Sequence, residues 1–269
     1  MRRISGRVAV VTGAGSGIGR ATSRALAARG AHLALVDFNP AGLADTERLL
    51  AGSGVNVSTH RVDVSSQDQM EALVQEVLDF HGDAHILVNN AGVTSAGRFT
   101  EETIEDLRWI VGINVWGVVY GCRFFLPVLQ RQDEAHIVNL SSMVGLLGLP
   151  HNAAYALTKG AVRSLTESLR GELRGTGVGV TSVHPGAIRT AITASARGAD
   201  GERIARMGEM RLASVVMRPP ESVASRIVRA IERDRARMIV GPDARMLDLT
   251  ARLIPGRSGL LGRAINRFG

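Results

Sequence analysis

The sequence predicts an α/β fold with a doubly wound parallel sheet, and three observations predict it. Val- and Ile-rich runs alternate with helical patterns along the chain. The runs are almost continuously apolar, as strands covered on both faces must be. A glycine-rich turn joins the first run directly to the first helix, and an acidic residue closes the second run. Right-handed crossovers then wind the chain to both sides of one sheet.

About seven strands are expected, over 8–11, 33–36, 57–62, 86–89, 136–140, 178–184 and 238–240. Helices are expected over 17–29, 40–51, 67–81, 104–131, 153–175 and 220–233. No Pro/Ser/Gly-rich linker divides the chain, so residues 1–242 read as one domain. Two segments break the rhythm. Residues 190–215 are Arg- and Met-rich and weakly helical, and residues 243–269 form a basic and apolar extension.

The chain has 269 residues, 45% of them hydrophobic, enough for one core. Cys122 is the one cysteine, which excludes an internal disulfide and fits a reducing, cytoplasmic setting. No run of 18 uncharged apolar residues occurs, so no membrane-spanning helix is expected. The basic start lacks an apolar stretch of signal-peptide length. The net charge of +7 is concentrated in residues 197–269, which hold 15 Arg against 8 Asp and Glu. That quarter is the part suited to an acidic partner. Nucleic acid is not expected, because the arginines are not interleaved with stacking aromatics.

The first turn reads Thr12-Gly13-Ala14-Gly15-Ser16-Gly17-Ile18-Gly19. Glycines permit a tight turn and close approach of backbone to a pyrophosphate, and the helix N-terminus offers free N–H groups. The bland alternative is an ordinary Gly-rich turn. Asp37 ends the second strand, 18 residues after Gly19. A carboxylate there can accept from adenosine ribose hydroxyls and repels a 2′-phosphate. Phe38 and Ser16 supply no cation, so NAD is favoured over NADP. Asp37 could instead simply form the turn before Asn39-Pro40. Asp63, followed by Val64, could bond the adenine amino group or cap the next helix. Asn90-Ala91-Gly92 ends the fourth strand with residues small enough for a ligand to approach.

Tyr155 and Lys159 are four apart, on one face of a predicted helix. A phenol is a poor base at neutral pH, and a neighbouring ammonium favours the phenolate. A Tyr/Lys pair at this spacing is also common on surfaces. One fact sharpens it: the chain has 31 Arg and a single Lys, which is Lys159. Guanidinium cannot replace a compact ammonium where the chemistry needs a point charge.

Taken together these motifs resemble the short-chain dehydrogenase/reductase family, over about residues 6–241. The resemblance rests on the glycine turn, Asp63, Asn89-Asn90-Ala91-Gly92, Asn114, Ser141-Ser142, Tyr155-x-x-x-Lys159 and Pro185-Gly186, in the family's order and spacing. It implies a Rossmann fold and a nicotinamide-dependent oxidoreductase. Tyr155 would be the general acid/base, and Lys159 would lower its pKa and hold the nicotinamide ribose. Ser142, rather than Ser141, would bond the substrate oxygen, and Asn114 would support a water relay to Lys159. Pro185, Ile188 and Thr190 would meet the nicotinamide. No metal is expected. The family's habit implies a homo-oligomer, dimer or tetramer, through helices 104–131 and 153–175.

Residues expected to face substrate lie in 94–98, 143–152 and 190–215, with Ala187, and are mainly apolar, including Val144, Leu146, Leu147, Leu149, Met207, Met210 and Leu212. A secondary alcohol or ketone on a hydrophobic body (steroid, terpenoid or acyl chain) is therefore favoured. The alternative is a non-catalytic NAD-binding protein, or a membrane-peripheral protein of the same fold. In the extension, Met246, Leu247, Leu249, Leu253 and Ile254 make a helical apolar stripe beside Arg245 and Arg252. It is read as packing on protein, as lying on an anionic membrane surface, or as flexible.

Overall fold

The computed structural model describes residues 1, 3–190, 192, 196–202 and 217–253. Most of the 190–215 segment, with Met207, Met210 and Leu212, lies outside the described residues, as do Ile254 and the rest of the tail.

Seven parallel strands form one sheet in the order β3-β2-β1-β4-β5-β6-β7. They are β1 (Val8–Thr12), β2 (His32–Asp37), β3 (Val57–Arg61), β4 (Ile86–Asn89), β5 (Ala135–Leu140), β6 (Val178–Pro185) and β7 (Arg237–Val240). Each matches a predicted strand to within a residue or two. Helices α1 (Gly17–Ala27) and α2 (Pro40–Leu50) follow β1 and β2, and α3 (Gln67–His81) follows β3. Then come α4 (Ile104–Val111), α5 (Gly117–Leu129), α6 (Ala153–Glu172), α7 (Pro220–Glu232) and α8 (Pro242–Leu253).

Two apolar layers flank the sheet, which is the doubly wound arrangement. Ala9, Val11, Leu33 and Leu35 face one layer with Leu26, Ile227 and Ile231. Val8, Val10, Ala34 and Val36 face the other with Leu73, Phe125 and Leu129. Successive strand residues point to opposite faces, so both halves of each apolar run are consumed. Strand order reverses between β1 and β4, and an open α/β sheet places its ligand crevice at such a switch point.

The predicted helix over 104–131 differs in one respect. A π-helical turn, Gly112–Trp116, separates α4 from α5, and Asn114 lies within it. Asn114 takes both hydrogen-bonding edges of Val93 and so draws the helix out of its regular register. The stretch Ile104–Leu129 is long and apolar enough to cross a membrane by length and composition. Here it packs against the sheet through Val118, Phe125 and Leu129, with Tyr120 and Phe124 half-buried beside them and the exposed Trp116 stacked on Tyr120.

Helix α8 docks on the body through buried Ala244 and Leu247 and through Asp248 to Arg237. Met246, Leu249 and Leu253 remain exposed.

Candidate active site

The carboxyl ends of the strands open into one cleft of about 920 Å³. Its walls include Gly13, Ser16, Gly17 and Ile18 from the first turn, and Asp37, Phe38, Asp63 and Val64 from the ends of β2 and β3. Asn90, Ala91 and Gly92 follow β4 in the wall, Pro185, Ile188 and Thr190 line it with Thr190 against Gly17, and Ser142, Tyr155 and Lys159 complete it.

The first turn is built for close approach. Gly13 has φ +66° and Gly17 φ +50°, conformations that L side chains resist. A Cβ on Gly13 would lie 2.7 Å from Asn90 Nδ2. One on Gly19 would run into the Gly13 carbonyl oxygen and 2.6 Å from Asn90 Nδ2. Gly19 is thus needed for helix–turn packing, behind the cleft wall rather than in it. Ser16 caps α1 without a side-chain hydrogen bond, so the first N–H groups of the helix are left for an anion. Thr12 fastens the turn to β4: its hydroxyl accepts from the N–H groups of Asn90 and Ala91 at 3.0 Å each.

Asp37 forms the turn foreseen for it and stands in the cleft wall. Its carboxylate lines the cleft, and it accepts from Gly15 N at 2.8 Å and Asn39 N at 2.9 Å. Phe38 is exposed with the Arg61 guanidinium 5.8 Å above its ring, so a cation does stand near this end of the cleft. Asp63 does not cap α3, whose N-cap is Ser66; it accepts from Ser65 N at 2.9 Å and Ser65 Oγ at 2.7 Å ahead of the helix, and it lines the cleft.

Ser142 and Tyr155 line the same part of the cleft, and the Ser142 hydroxyl is near enough to lower the Tyr155 phenol. Ser141 is engaged elsewhere, donating to the Lys159 carbonyl oxygen at 2.7 Å. Lys159 Nζ donates to Leu140 O at 3.0 Å and lies 5.8 Å from the centre of the Tyr155 ring. Burial pushes the Tyr155 phenol up to about 12, with the Ser142 hydroxyl opposing it, and brings the Lys159 ammonium down to about 8. By the protein's own groups, then, desolvation outweighs the lowering of Tyr155 foreseen from Lys159.

Asn114 is fully buried and is not in the cleft wall. It accepts from Val93 N at 2.8 Å and donates to Val93 O at 2.9 Å and Thr158 Oγ1 at 3.1 Å. It approaches Lys159 only across Gly92, where a Cβ would lie 3.1 Å from Asn114 Oδ1 and 3.2 Å from Lys159 Nζ. Gly92 therefore keeps open the space between them.

Three contributors were not singled out from the sequence. His184 donates from Nδ1 to the Ser142 carbonyl oxygen at 3.2 Å and meets Ser182 Oγ through Nε2 at 2.9 Å. Burial lowers it to about 4, so it is neutral at pH 7. Asp243 accepts from Ala187 N at 2.7 Å. Trp109 forms part of the apolar wall with Ile113, Met143, Val144 and Met217. Of the residues expected there, Val144 and Ala187 line the cleft, whereas Leu146, Leu147 and Leu149 do not. Among the described residues no cluster of His, Cys, Asp and Glu could hold a metal ion.

Known proteins resemble this chain in sequence and in fold. The sequence model described as short chain dehydrogenase matches residues 7–201. SadH of Mycobacterium tuberculosis, named as an oxidoreductase, is 39% identical over 256 residues, 94% of this chain and 93% of that protein. A short-chain dehydrogenase/reductase from Burkholderia phymatum, solved in complex with NAD, superposes with a TM-score of 0.86 at 34% identity, covering 97% of each chain. Levodione reductase superposes with a TM-score of 0.80 at 27% identity, covering 91% of this chain and 99% of its own.

Proposed function

The chain belongs to the short-chain dehydrogenase family, and from that premise we propose that it transfers a hydride between NAD(H) and a secondary alcohol or ketone on a hydrophobic body. As an oxidoreductase of this family it works with a nicotinamide cofactor. The observation that carries the finer reading is the meeting of Ser142, Tyr155 and Lys159 at one end of a cleft whose other end is the glycine turn.

The residues present fit such a cofactor. The uncapped N-terminus of α1 suits its pyrophosphate, and Gly13, Gly17 and Gly92 leave the space that side chains would fill. Asp37 and Asp63 would hold the adenosine, and Pro185, Ile188 and Thr190 the nicotinamide. The bound nicotinamide gives or takes the hydride. The chain's part is to orient the reactants and manage one proton. Ser142 donates to the substrate oxygen. Tyr155, kept protonated by burial, is ready to protonate a carbonyl oxygen during reduction. For oxidation it must first lose that proton, and the ammonium of Lys159 favours the phenolate. Lys159 also holds the ribose hydroxyls, and Asn114 supports a water path behind it.

The Asp37 carboxylate supports NAD over NADP, because it repels a 2′-phosphate. The wall of Trp109, Ile113, Met143 and Val144 supports a hydrophobic substrate. The exposed Trp116, at the end of a stack with half-buried Tyr120 and Phe124, supports a homo-oligomer. The buried contacts of α8 support packing of the extension on protein rather than on a membrane.

A panel of apolar secondary alcohols and ketones, followed by NADH absorbance, tests the reading. Turnover should be lost in Tyr155→Phe while NADH binding persists. No turnover across the panel by a wild type that binds NADH would favour a non-catalytic nucleotide-binding protein instead.

A further inference from the structure

We propose that Asp243, at the start of α8, is a positioning residue for the nicotinamide end of the cleft. The inference rests on the cofactor reading above. Asp243 Oδ2 accepts from the N–H of Ala187 at 2.7 Å, across 56 residues of sequence. Ala187 lies in the turn after β6, between Pro185 at the strand's end and Ile188 and Thr190, all in the cleft wall. A carboxylate accepting from a backbone N–H makes a stronger bond than a neutral acceptor does.

The surroundings are shaped around that carboxylate. A Cβ on Gly186 would collide with both of its oxygens, and one on Gly241 with Oδ1. Gly241 also has φ +117°, which only glycine adopts readily. Gly186 N donates to Val240 O at 2.8 Å, so the turn is tied twice to the junction of β7 and α8. Helix docking does not account for Asp243. Farther along, Asp248 pairs with Arg237, and with Arg252 at 3.1 Å, while Ala244 and Leu247 are buried. The first turn of the extension therefore acts on the cofactor site, and the rest of the helix keeps it in place.

The test compares full-length wild type with Asp243→Ser, whose hydroxyl stops short of Ala187, with Asp243→Asn, which retains an acceptor, and with Asp248→Ala, which loosens the same helix elsewhere. NADH binding is followed by fluorescence, and amide hydrogen exchange over 185–190 is followed without cofactor. Asp243→Ser should weaken NADH binding about tenfold and speed exchange in that segment. Asp243→Asn should recover most of both. Asp248→Ala should lower the melting temperature with NADH affinity unchanged. Should Asp243→Ser not fold, Asp243→Ala takes its place: faster exchange over 185–190 with weaker NADH binding supports the role, and wild-type values of both refute it. Wild-type affinity in Asp243→Ser, or an equal loss in Asp248→Ala, would overturn the inference alone. A wild type that binds no NADH would overturn the cofactor reading, and this one with it.

Discussion

Lys159 is 3% exposed, and burial brings its ammonium from the usual 10.5 down to about 8. At pH 7 the folded protein still holds that proton, so it carries a desolvated charge that the unfolded chain keeps in water. The displacement corresponds to about 3 kcal/mol of lost stability. Lys159→Met removes that cost and also removes the hydrogen bond to Leu140 O, worth about 1 kcal/mol. The variant should therefore be more stable by about 2 kcal/mol at pH 7, or about 4 °C in Tm for a chain of this size. The gain has a defined pH window. Between pH 8 and 10.5 the folded state releases the proton while the unfolded state keeps it, so the wild type gains stability as pH rises. The advantage of the Lys159→Met variant should shrink accordingly by pH 10. Thermal melts of both proteins at pH 7 and pH 10 read this directly. Turnover should fall by about 10³-fold or more in the same variant. A Lys159→Met protein that is less stable at pH 7, or whose difference from wild type does not change with pH, would refute the reasoning.

Two further outcomes follow from the cofactor end of the cleft. Asp37→Ala removes the charge that repels a 2′-phosphate while Arg61 remains over Phe38, so the preference for NAD over NADP should fall about tenfold or more in paired kcat/KM measurements. The same variant frees the N–H groups of Gly15 and Asn39, so Tm should drop by a few degrees, about 1–2 kcal/mol. Gly19→Ala forces a Cβ against the Gly13 carbonyl, so NADH binding should be lost with a measurable fall in Tm; normal affinity would mean the turn can yield.

Much of this protein was legible along the chain because the signals are local. Alternating apolar runs and amphipathic helices announce themselves within a few residues, and all seven strands lie where those runs are. The glycine turn and the Tyr155/Lys159 pair are likewise contiguous patterns, and the lone lysine stands out by composition. Tertiary structure decided what depends on partners distant in sequence. Only the fold seats His184 against the carbonyl of Ser142, 42 residues away, or Asp243 against Ala187. Only the fold inserts a π-helical turn at Asn114, because Val93 offers both bonding edges there. Burial, too, is a property of the assembled core. The sequence by itself determined which acid, which amine and which hydroxyl meet at one site. The packing around them decided that the phenol sits near 12 and the ammonium near 8, because desolvation depends on every neighbour at once.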